Sequence, residues 1–192
     1  MRFRQIFILF TFLALPIWLP APDLPPGGDP FSMLESMRAD IISKDKIQYK
    51  LKYNRFKNSL ARVESMNNWK EFNRYGFIGK YQFGKSALEA TGYGSITLLD
   101  FKVNPGIFPE AEQEKAMDIL LKINETSLNE YFKRYVGYTV SDTIRITRAG
   151  ILAAAHLAGP ANVRQYLDSF GSKNLKDRMG TSISDYLYRF SR

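Results

Sequence analysis

The sequence predicts a single mainly helical α+β domain with a small β or loop element, and three observations carry that expectation. Ser32 to Ser65 runs without Gly or Pro. Ile144–Ala158 is apolar nearly all round, the mark of a helix at the centre of a core. Between them, Asn67–Phe83 is rich in aromatic, Asn and Gly residues and suits a short irregular or β-hairpin segment. A length of 192 residues fits one domain of ordinary size. With 45% hydrophobic and 24% charged residues, the chain has the composition of one that folds.

The elements follow in order. Arg2 and Arg4 precede Ile6–Leu15, which is almost wholly apolar, and the next charge is Asp23. A basic start, an apolar centre and a polar sequel form the secretory signal pattern. The uncharged stretch Gln5–Pro22 lies at the short end of the roughly 17–25 residues that cross a bilayer. Residues 1–22 therefore read as a signal peptide or a retained N-terminal anchor, and either fate exports the chain to a bacterial periplasm or envelope. Residues 23–31, with Pro25, Pro26, Gly27, Gly28 and Pro30, read as a linker, and 32–192 as the folded body. Ile41, Ile42, Leu51, Phe56, Leu60 and Val63 recur at helical spacing, giving one long helix, or two broken near Ser43, that ends close to Met66. Further helices are expected over Lys85–Ala90, Pro109–Ile123, Ser127–Tyr135, Ile144–Ala158 and Ala161–Phe170, and a last one from the capped Thr181–Asp185 to Phe190. Pro109 with Glu110, Glu112 and Glu114 makes a good helix start, since carboxylates favour the positive end.

Composition also removes chemistries. Without Cys there is no disulfide scaffold, thiolate metal site or cysteine nucleophile. One His, His156, excludes a multi-His metal site, so neither metal nor cofactor is expected. The net charge of +8 falls to +6 without Arg2 and Arg4, which suits an anionic polymer as partner. No basic, aromatic-interleaved stripe points to nucleic acid. Gly79–Ser86 satisfies the phosphate-loop pattern G-x-x-x-x-G-K-[ST]. That loop needs a buried strand before it and a long helix after it. Asn73–Gly76 precedes it instead and Gly92 soon stops the helix, so nucleotide binding is rejected.

A different constellation remains. Leu60-Ala-Arg-Val-Glu64-Ser65 puts a carboxylate at the end of an apolar helix face. Next come Gly76-Phe-Ile-Gly79-Lys-Tyr-Gln82 and, much later, Ala154-Ala-His-Leu-Ala-Gly159. In order and spacing this resembles the lytic transglycosylase and goose-type lysozyme family, with its Glu-Ser, S-x-x-G-x-x-G-L-M-Q and A-Y-N-A-G motifs. The resemblance spans about Leu60 to Pro160 and implies a lysozyme-like fold. It places Glu64 on the catalytic acid and Ser65 on the neighbouring Ser. Gly76, Gly79 and Gln82 fall on the second motif, and Ala155, Ala158 and Gly159 on the third. Lys80-Tyr81 stands where that pattern has Leu-Met, His156 where it has Tyr, and Leu157 where it has Asn.

The resemblance implies an exported enzyme that cuts the MurNAc–GlcNAc linkage of peptidoglycan without metal or cofactor. Glu64 would serve as acid and then base, with Ser65, Gly79, Tyr81, Gln82 and His156 at the substrate. Delivering a proton to a leaving oxygen needs a carboxyl screened from water. Glycosidases that hydrolyse need a second carboxylate, for which Glu71 and Asp100 are candidates. The resembled enzymes dispense with it, because the 6-hydroxyl of the sugar attacks and leaves a 1,6-anhydro end. Two rival readings stay open: a hydrolytic muramidase, and a non-catalytic wall-binding module serving an envelope complex. Plainer roles stay open too. Glu64 could be a surface carboxylate, Gln82 a turn residue and His156 a core histidine. The alternation of Tyr75, Phe77, Tyr81 and Phe83 fits either a sugar-stacking face or packing against helices.

Overall fold

The computed structural model describes residues 30–141 and 143–191. The segment 1–22, read as signal or anchor, lies outside them, as does the linker up to residue 29. No helix among the described residues is long and apolar enough to cross a membrane. The architecture is mainly helical with one small antiparallel sheet. Helix α1 runs unbroken over Pro30–Ser65, with Pro at its first position where a missing N–H costs nothing. Packing divides the chain after Ile47. The first unit is described from residue 30, and Phe31, Leu34, Ile41 and Ile42 are exposed in it. The second unit, Gln48–Arg192, holds the core.

Within that unit, Tyr53, Phe56, Lys57, Leu60, Ala61, Glu64 and Ser65 recur three and four residues apart and share one face of α1. Leu60 and Ala61 are fully buried, so the face that enters the core also carries Glu64 to the helix end. Helices α2 (Lys85–Ala90), α3 (Leu98–Val103) and α4 (Glu110–Ser127) follow, with a 3-10 turn at Pro105–Ile107. Helices α5 (Asn129–Tyr135), α6 (Arg148–Ala158), α7 (Pro160–Asp168) and α8 (Ile183–Arg189) complete the body. Helix α6 is the central element. Gly150 to Ala155 are buried, and it packs against α4, α7 and α8. Gly150 is small because α8 comes close: a Cβ there would lie 3.1 Å from the Leu187 carbonyl oxygen.

The sheet is β1 (Thr139–Val140) against β2 (Ile144–Arg145), with Val140 opposite Ile144, and of the irregular and hairpin readings of 67–83 the irregular one holds. Residues 72–83 form only isolated bridges of Ile78 with Phe72 and Phe83. Helix α6 starts at Arg148, because Thr147 caps it by accepting from the Gly150 N–H at 2.9 Å. Helix α4 runs on to Ser127, and α3 was not foreseen; Thr97 caps α3 through the Asp100 N–H. The last helix starts within the expected Thr181–Asp185 segment, where Ser182 and Asp185 form a reciprocal capping box.

A partly buried ion network joins α1, the 79–83 loop and α4. The Lys57 ammonium lies 2.7 Å from Glu114 and also contacts Asp118. Lys80 reaches Glu110 at 2.8 Å and Glu114 at 2.9 Å, and the Tyr81 hydroxyl donates to Glu114 at 2.8 Å. Burial alone would raise the Glu114 carboxyl, but hydrogen bonds from Lys57, Lys80 and Tyr81 outweigh it and hold the group below its usual range. A carboxyl lowered in the folded state stabilises the fold above its unfolded value and loses that contribution as pH falls. Glu114→Gln should therefore lower stability by roughly 1–3 kcal/mol at pH 7, with a smaller difference from wild type at pH 3. Chemical denaturation at the two pH values checks this.

Candidate active site

Glu64 and Ser65 close α1, after which Met66 and Asn67 turn the chain with positive φ of 56° and 64°. Glu64 looks into a cleft of about 490 Å³ bordered by the end of α1, residues 71–82, the end of α6, the 177–181 loop and α8. Its side chain is 12% exposed. The Tyr186 hydroxyl donates to Glu64 Oε1 at 2.6 Å. Burial first, then the neighbouring carboxylate, pushes the Tyr186 phenol above its usual range, so it stays a donor. His156 Nε2 is 3.9 Å from the same oxygen, too far for a hydrogen bond. Among the described residues nothing hydrogen-bonds Oε2, which is not enclosed either, and Glu64 lines the cleft. The two oxygens are thus unequal: one is held and one is open.

The sequence-expected residues converge here, by different routes. The Ser65 hydroxyl lines the cleft and donates to the Lys80 carbonyl at 2.7 Å, tying the loop to α1. Gln82 also lines the cleft. Its Nε2 donates to the Gly79 carbonyl and its Oε1 accepts from Asn73 Nδ2, both at 2.9 Å, so the amide orientation is fixed. The expected turn bond and the cleft position are therefore both present. His156 borders the cleft and donates from Nε2 to the Tyr81 carbonyl at 2.8 Å. Its Nδ1 is buried without a partner.

Tyr81 and Gly79, expected at the substrate, do not border the cleft. The Tyr81 ring is fully buried with its hydroxyl on Glu114, and Phe83 is buried beside it. Packing explains the aromatic alternation, since of the four residues only Phe77 reaches the cleft. Gly79 has φ of +79° and sits against the Gln113 side chain, which accepts from the Lys80 N–H at 2.6 Å. Gln113 also donates to the Trp69 and Phe108 carbonyls, so it cannot easily yield. Leu157 lines the cleft as well.

Of the two candidate second carboxylates, Glu71 borders the cleft and accepts from Asn68 Nδ2 at 3.0 Å. Asp100 does not; it is bound to Thr97 at the start of α3. The sequence reading missed Tyr186, Asp177 and Arg189, all of which line the cleft. They lie beyond the matched motifs, and only the capping signal at Ser182–Asp185 marked that region. The phosphate-loop match is no cradle: Lys85 opens a six-residue helix and is exposed. No group of three His, Asp or Glu among the described residues could hold a metal. Comparison with protein-family models, characterised proteins and solved structures finds no match to this chain.

Gly79→Ala should cost roughly 1–3 kcal/mol, because a Cβ there both strains the backbone and displaces Gln113. Gly76→Ala shares the positive φ, at +91°, without the crowding. Its smaller loss in Tm under the same conditions checks the packing contribution.

Proposed function

We propose that the chain is an exported peptidoglycan lytic transglycosylase of lysozyme-like fold, cutting the MurNAc–GlcNAc β-1,4 linkage. The observation that carries this reading is the asymmetry of Glu64. A general acid needs one carboxyl oxygen free to hold a proton against the leaving group and a fixed orientation for the rest. Tyr186 on Oε1 gives the orientation, and Oε2 is left without a hydrogen bond among the described residues. In this reaction the Oε2 proton passes to the glycosidic oxygen as its bond to the anomeric carbon breaks. The 6-hydroxyl of the same MurNAc then bonds to that carbon and gives its proton to Glu64. Acid and base are one residue, and no metal or water enters. Support also comes from Asn73 and Gln82, which line the cleft with coupled amides held in a fixed orientation. The basic body suits an anionic wall, and residues 1–22 suit export with or without a retained anchor. An envelope complex is a natural setting for such an enzyme.

Glu71 and Asp177 favour one second reading, a hydrolytic muramidase, because either could activate water from within the same cleft. The 157 position, Leu where the resembled pattern has Asn, keeps a wall-binding module as the non-enzymatic alternative.

Glu64→Gln should lower muropeptide release at least about 10²-fold while leaving the circular dichroism spectrum and Tm near wild type. Activity within a few fold of wild type would exclude the assignment. Tyr186→Phe should cost roughly tenfold in kcat by releasing Oε1. Product mass separates the enzymatic readings: anhydro ends are one water lighter, whereas a hydrolase gives reducing ends and loses activity in Glu71→Gln or Asp177→Asn.

A further inference from the structure

The Glu64 cleft is continued by a second groove. Val63 and Arg189 line both, and beyond them the groove of about 440 Å³ runs past Ser59 to Arg55 and Lys52 on α1. Its floor is apolar, built from Phe56, Val63, Ala149 and Phe190. Its rim is cationic. Lys52, Arg55 and Arg189 are exposed and make no ion pair among the described residues. The nearest acid on α8, Asp185, is occupied by Ser182 through both its hydroxyl and its N–H. The catalytic end has the opposite character, with Glu64, Glu71 and Asp177.

This polarity selects a ligand that is neutral at one end and anionic at the other. A glycan chain bears no charge along its sugars. The short peptide carried on the lactyl group of a muramoyl residue adds carboxylates and apolar side chains. We propose, resting on the function inferred above, that this groove takes that stem peptide, so that the chain acts on peptide-bearing glycan rather than on naked strands. The dimensions agree. Arg55 and Lys52 lie nine and twelve residues before Glu64 on α1, about 14–18 Å along the axis. An extended peptide of four or five residues spans about 13–18 Å. Carboxylates meet Arg189, Arg55 and Lys52 in turn, and the apolar side chains lie on Phe56 and Phe190.

The test compares peptide-bearing glycan strands with the same strands stripped of peptide by an amidase. The full chain should show kcat/KM roughly three- to tenfold higher on the peptide-bearing strands, as expected for two or three exposed charge contacts. The preference should shrink at high salt. The double variant Lys52→Ala/Arg55→Ala should cut both substrates within about twofold of each other. Equal rates for wild type, or an unchanged preference in the double variant, would overturn the inference. Binding of the full-length Glu64→Gln chain to the two strands, read by sedimentation, separates this from a failure of the catalytic reading. If wild type cuts neither strand yet the chain binds peptide-bearing strands better, cleavage fails and the groove stands. Equal binding with no cleavage overturns the groove as well.

Discussion

The site hangs on the backbone of Lys80 and Tyr81. Three helices grip these two residues from different directions. From α1 the Ser65 hydroxyl takes the Lys80 carbonyl; from α4 the Gln113 amide takes the Lys80 N–H; from α6 His156 takes the Tyr81 carbonyl. A loop without a regular ladder must satisfy its polar groups individually once buried. Here each satisfaction is also a positional constraint. The end of α1, which carries Glu64, and the turn that carries Gln82 are thereby held to the central helix. Removing one of these bonds would leave a buried carbonyl or N–H unpaired, which costs more than the bond contributes.

The proposed acid gains its geometry from the same arrangement. The apolar face of α1 buries Leu60 and Ala61, so the following turn brings Glu64 to the rim of the core instead of to bulk solvent. From the other side, α8 is drawn close to α6 by Gly150 and tied at its end, where Thr147 donates to the Phe190 carbonyl. That approach brings Tyr186 onto Glu64 although 122 residues separate them. One oxygen is held and the other free because Tyr186 on α8 is the carboxyl's one hydrogen-bond partner among the described residues. A carboxyl held from both sides would be a structural ion-pair partner.

What could be read from the sequence divides along the same line. Helix α1, the buried α6 and the position of Glu64 were legible because periodicity and breakers are local signals. The helix start at Arg148 was shifted by a cap, where one hydroxyl decides the boundary. The β1–β2 pair is too short for its alternation to stand out, whereas the 75–83 aromatics alternate without forming a strand. Tyr81 carried a motif position, yet its side chain points into the core, and its carbonyl is what reaches the site. Tyr186, Asp177 and Arg189 had no local pattern to mark them. They come to the cleft only through the packing of α8 and the loop before it, a tertiary fact that no window of sequence contains.

Where the resembled motif has two apolar residues, this chain has Lys80 and Tyr81, and both are buried. A lone buried ammonium would be costly. Here it is matched by Glu110 and Glu114 on α4, while Glu114 also accepts from Tyr81 and Lys57, and Lys57 donates to Asp118 as well. Glu114 is the shared member: without its carboxylate the Tyr81 hydroxyl would lose its partner, and Lys80 and Lys57 would keep only Glu110 and Asp118. Such a network need not add stability over a hydrophobic equivalent. It does impose a register, because the Glu114 carboxylate meets Lys57, Lys80 and Tyr81 only when α1, the loop and α4 align. Directional charge pairs thus help to hold the Lys80–Tyr81 segment between α1 and α4.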